Sequence, residues 1–112
     1  MMRLGLFLVV ALAFAPSLAR ADDVMPRFDV AAHCKEVASF GGTYSAMMEQ
    51  QCMKMEQGDY DSLKQRWPGL PESMKDHCLQ VASFGGTASY MMLNQCVKME
   101  LEAGSADKTF KY

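Results

Sequence analysis

Residues 33–56 recur, 44 positions later, as residues 77–100. His33-Cys34-Lys35-Glu36-Val37-Ala38-Ser39-Phe40-Gly41-Gly42-Thr43 aligns with His77-Cys78-Leu79-Gln80-Val81-Ala82-Ser83-Phe84-Gly85-Gly86-Thr87. The match continues through Ser45/Ser89, Met47-Met48/Met91-Met92, Gln51-Cys52/Gln95-Cys96 and Lys54-Met55-Glu56/Lys98-Met99-Glu100, giving 17 identities in 24 positions. Whatever one copy folds into, the other must fold into as well. A period of this length fits one supersecondary motif per copy, and 112 residues leave room for one domain built from both.

The motif is helical. Val30, Cys34 and Val37, with Ala31 and Ala38 beside them, follow the 3–4 spacing of one helix face, as do Met74, Cys78 and Val81. Both runs end at Phe-Gly-Gly, where glycine suits the left-handed position that closes a helix. Thr43 or Ser45, and Thr87 or Ser89, can then cap the next helix by accepting from its free N–H groups. Tyr44, Met48, Cys52 and Met55 make the next stripe, which extends to Tyr60, Leu63 and Trp67; Met92, Cys96 and Met99 repeat it. Pro68 and Pro71 stop the longer helix, because proline removes a donor and biases its predecessor away from helix. Period-two alternation is never sustained, which argues against strands. The expected fold is all-α: helices over about 29–40, 44–66, 72–84 and 88–103, paired as two tandem hairpins in repeats of about 29–67 and 72–103. Tyr60, Leu63 and Trp67 are expected to pack the first hairpin against the second.

Hairpin geometry selects among the three possible cysteine pairings. Cys34 lies seven residues before Gly41 and Cys52 nine after Thr43, roughly 10 and 13 Å from the turn at about 1.5 Å per residue. Antiparallel neighbours bring the two to one level, within the Cα separation that a disulfide needs. The expected bridges are therefore Cys34–Cys52 and Cys78–Cys96. The arrangement resembles twin-cysteine helical hairpins in architecture alone, since the cysteine spacing differs.

Disulfides imply an oxidising compartment, and the N-terminus agrees. Arg3, the apolar run from Leu4 to Ala15, the break at Pro16 and the small-x-small site Ala19-Arg20-Ala21 are ordered as in a secretory signal peptide. The apolar core, about a dozen residues, is short of the roughly 20 that span a bilayer. Residues 1–21 are expected to be removed, leaving 22–112 as a periplasmic or secreted domain without a transmembrane span.

The chemistry-bearing residues admit few reactions. Asp and Glu outnumber Lys and Arg by 13 to 11, so no basic field invites nucleic acid. Gly-x-Ser-x-Gly, His-Glu-x-x-His, P-loop and Cys-x-x-Cys patterns are absent, so no catalytic residue and no cofactor is assigned. His33 and His77 adjoin cysteines, but successive helical residues diverge by about 100° and do not face each other. The chain has eleven Met; Met48, Met55, Met92 and Met99 have the spacing of a core stripe, and Met fills irregular core gaps. They are expected to pack inside. The alternative is a soft-metal site for copper, using Met48, Met55, Met92 and Met99 with His33 and His77. Ser39, Thr43, Ser83 and Thr87 recur around the turns and are the candidate binding residues, although capping accounts for such positions too. Together these features point to a small exported, non-enzymatic envelope protein, a binding or structural module for an envelope protein or polymer.

Overall fold

A computed structural model describes residues 24–112; the expected signal segment lies outside them. Four helices follow in order, α1 (Val30–Ala38), α2 (Ala46–Arg66), α3 (Glu72–Ser83) and α4 (Tyr90–Ser105), and no strand occurs among the described residues. Each begins and ends for a local reason. Asp29 accepts from Ala32 N–H at 3.1 Å to open α1. Of the candidate caps, the serines act: Ser45 accepts from Met48 N–H at 3.2 Å and Ser89 from Met92 N–H at 3.3 Å. Between the helices of each hairpin, Gly41, Gly42, Gly85 and Gly86 all have φ between +84° and +140°, a region in which a β-carbon is strained. Trp67–Gly69 forms a 3-10 turn after α2, and Pro71 precedes α3.

Helix α1 packs on α2, and α3 on α4, as two hairpins. The bridges are Cys34–Cys52 and Cys78–Cys96, each with Cα atoms 5.5 Å apart. No described cysteine is free. Such bonds fit an oxidising, extracytoplasmic setting. Among the described residues no helix is long and apolar enough to cross a membrane.

The hairpins meet through α2 and α4. Tyr90 lies against Glu56 and Tyr60, and Asn94 against Asp59, so the two helices run in the same direction. Leu63 and Trp67 from the end of α2 join Leu93 and Val97 of α4, with Leu70, Cys78 and Ala82, in one buried cluster. Each large side chain there contributes about 1.5–3 kcal/mol by leaving water. The expected packing of Tyr60, Leu63 and Trp67 on the second hairpin is therefore present. An N-terminal arm closes the top: Phe28 stacks on Tyr90 with ring centroids 4.5 Å apart, and Tyr90 Oη donates to the Pro26 carbonyl at 2.6 Å.

One expectation is overturned. Tyr44, Met48, Met55, Met92 and Met99 do not enter the core; all five are exposed. A two-helix hairpin buries only a narrow seam between its helices. Cys34, Ala38, Cys78 and Ala82 fill that seam, and the longer methionines spread over its outer lip.

Candidate functional site

A polar network crosses the contact between the hairpins. Glu56 on α2 is only 2% exposed. Its carboxylate accepts from Ser89 Oγ at 2.5 Å and from Tyr90 N–H at 2.6 Å. These donors belong to the first turn of α4, where backbone N–H groups lack helical partners and the helix dipole favours negative charge. No acidic residue of α4 itself lies in that turn, so α2 provides one. His33 stands on the other side, with Nε2 3.7 Å from Glu56 Oε1. Thr87 Oγ1 donates to Glu36 at 2.8 Å and is 3.0 Å from His33 Nδ1. A hydroxyl that gives its proton to Glu36 must accept from His33, which places a proton on Nδ1.

The repeat sets the same pair on the second hairpin, where it is open. His77 Nε2 lies 3.5 Å from Glu100 Oε1, with side chains 55% and 45% exposed. Each pair ends a cleft along its hairpin. The first, of about 270 Å³, is lined by His33, Val37, Met48, Gln51, Cys52, Met55 and Glu56, with Met47 and Met91 added. The second, of about 230 Å³, is lined by the matching residues His77, Val81, Met92, Gln95, Cys96, Met99 and Glu100. Between them the two turns enclose a third hollow of about 310 Å³, flanked by Phe40 and Phe84. It shares His33 and Val37 with the first cleft, and Val81 and Met92 with the second. The three make one continuous strip. Its two phenylalanines are 89% and 90% exposed.

No family model, curated protein or solved structure matches this chain.

The repeat preserves Phe40/Phe84, Met47/Met91, Met48/Met92 and Met55/Met99, and all eight side chains are exposed. By contrast Ala46, Glu49, Gln50 and Met53 correspond to Tyr90, Leu93, Asn94 and Val97, and these four residues of α4 are buried. Among the apolar positions of the second helices, identity is kept on the outside and given up at the joint between hairpins, where the polar residues His33, Glu56, Thr87 and Ser89 keep their counterparts. A core-packing role for the methionines would produce the reverse.

The candidate binding residues divide unequally. Ser39, Thr43 and Ser83 are exposed at the turns, whereas Thr87 is drawn into the interface network by His33 and Glu36. The thioethers and imidazoles are brought together in two groups, Met48, Met55 and His33 in one cleft and Met92, Met99 and His77 in the other. Among the described residues no group of three or more His, Cys, Asp or Glu is placed to hold a metal ion. Glu56 and Glu100 are functional candidates that motif scanning passes over. Their signal lies in the repeat: His and Glu are the first and last residues of the matched block in both copies.

A second acidic contact distinguishes the two helix starts. The Tyr44 hydroxyl donates to Glu49 in the first turn of α2. That bond, above all, and the Glu49 charge hold the Tyr44 phenol above its ordinary value.

Proposed function

We propose that this chain is an exported, non-enzymatic binding module of the cell envelope, which engages a protein partner through its Phe/Met strip. The observation that carries this reading is the inverted pattern of identity: apolar side chains repeated in both copies face water. Contiguous exposed apolar surface of this kind marks interaction sites, and methionine adapts its shape to apolar partners. Phe40 and Phe84 would anchor the contact, since large aromatic side chains dominate binding energy where they become desolvated. The two disulfides support the reading by holding a small scaffold rigid.

The test is a Phe40→Ser, Phe84→Ser double variant, compared with the wild type in pull-downs from envelope extract. Loss of a specific partner with unchanged circular dichroism supports the strip. Equal capture by both proteins rules it out. Intact mass of material from its native compartment tests export, and the expected product begins at Asp22.

A second reading is favoured by one observation, the sharing of a cleft by His33 and four thioethers, Met47, Met48, Met55 and Met91. Soft sulfur ligands with imidazole suit Cu(I). Anaerobic Cu(I) titration separates the two: stoichiometric uptake lost with Met48→Leu, Met55→Leu would replace the protein partner by a metal.

A further inference from the structure

The His33–Glu56 and His77–Glu100 pairs are one seat in two states. On the first hairpin the seat is filled. The opening turn of α4 sits on it, with Ser89 and Tyr90 donating to Glu56 and Met91 lying in the adjoining cleft. On the second hairpin the same residues recur, and His77 and Glu100 face solvent. A carboxylate, an imidazole and an apolar cleft that complete a helix start in one place can complete one in the other.

The chain has one other helix start of similar sequence, Ser45-Ala46-Met47-Met48, and its details oppose docking. Glu49 already supplies an acid to the first turn of α2 and is held there by Tyr44. Brought to Glu100, that turn would set like charges together. Ala46 and Glu49 also stand where α4 has the buried Tyr90 and Leu93, so this start lacks the apolar side chains with which α4 docks. Both features oppose head-to-tail addition of one molecule to the next, a contact that would otherwise be open-ended.

We propose that the His77–Glu100 seat receives the N-terminal turn of a helix from a partner protein, one that opens with a Ser or Thr cap, carries a methionine-like residue at its second helical position, and has no acid in its first turn. The inference rests on the binding-module reading and gives the partner its chemistry. The cap hydroxyl and the first helical N–H donate to Glu100, as Ser89 and Tyr90 donate to Glu56. The following apolar side chain enters the cleft between Val81, Met92 and Met99.

Rewriting the free helix start tests the seat directly. The variant Tyr44→Ala, Ala46→Tyr, Glu49→Leu gives α2 the opening of α4 and offers it to the seat of a neighbouring molecule. Sedimentation velocity should show a monomeric wild type and reversible association of the triple variant. Adding Glu100→Gln should weaken that association by roughly tenfold or more, the usual worth of hydrogen bonds to a charged group. A peptide copying residues 87–99 with Cys96→Ser, titrated against the wild type by NMR, should shift His77 and Met99 signals. A triple variant that stays monomeric, or that associates equally well with Glu100→Gln, overturns the proposal. Wild-type self-association through Glu100 would also overturn it, by making a second molecule the occupant. Phe40 and Phe84 do not line this cleft, so failure of the seat and failure of the strip give separate results.

Discussion

Glu56 and Glu100 show how one repeated residue meets different surroundings on the two hairpins. The buried Glu56 carboxylate accepts two hydrogen bonds from α4 and faces His33. A glutamine keeps an acceptor there but loses the charge, and hydrogen bonds to charged groups are worth about 1.5–3 kcal/mol each. Glu56→Gln should therefore destabilise the protein by about 1–3 kcal/mol in urea unfolding. Glu100→Gln removes the same side chain from an exposed surface and should change stability by no more than about 0.5 kcal/mol. Equal effects from the two would show that the buried network contributes nothing of its own. The role of Glu56 is not visible in local sequence. His33 and Glu56 are 23 residues apart, on different helices, and what makes Glu56 special is a helix start 33 residues further on.

At the scale of the elements, local sequence was sufficient. The 3–4 stripes, the serine caps and the Gly-Gly turns each act over a few residues, and they place the four helices within two residues of their observed ends. The disulfide pairing followed from similar distances to the turn, about 10 and 13 Å, which depend only on helix rise. Burial did not follow. A stripe at helical spacing states that a helix has an apolar face, but not how much of that face a partner covers. In these hairpins the small pairs Cys34/Cys78 and Ala38/Ala82 occupy the covered part, and Met48, Met55, Met92 and Met99 remain outside. The covering partner was encoded elsewhere, in the positions at which the two copies disagree. The bridges should matter unequally for the same reason. Replacing Cys34 and Cys52 by serine frees a loop of about twenty residues and should cost about 3 kcal/mol. Replacing Cys78 and Cys96 should cost more, because both sulfurs also belong to the buried cluster with Leu93 and Val97. Thermal unfolding of the two double variants by circular dichroism gives the order, and a larger loss for the first bridge would contradict it.

At the scale of the whole molecule, the question is whether duplicated hairpins behave as two units or one. Each has its own disulfide and its own turn, and could persist alone. Yet Leu63 and Trp67 at the end of the first hairpin lie in one cluster with Leu93 and Val97 of the second, and neither hairpin can bury its share without the other. With the disulfides intact, urea should therefore unfold the protein in a single transition, with tryptophan fluorescence and helical circular dichroism changing together. Trp67, the only tryptophan, reports on the joint. Leu93→Glu tests the coupling, because it restores the residue that the first copy carries at that position. It places a carboxylate in a fully buried site, where an unpaired charge costs more than about 3 kcal/mol. The joint should then open while both bridged hairpins remain. Trp67 fluorescence should become that of an exposed indole before most of the helical signal is lost, and the two probes should separate. Coincident transitions at an unchanged midpoint would mean that Leu93 does not hold the joint closed, and that the divergence of α4 from α2 has some origin other than joining the hairpins.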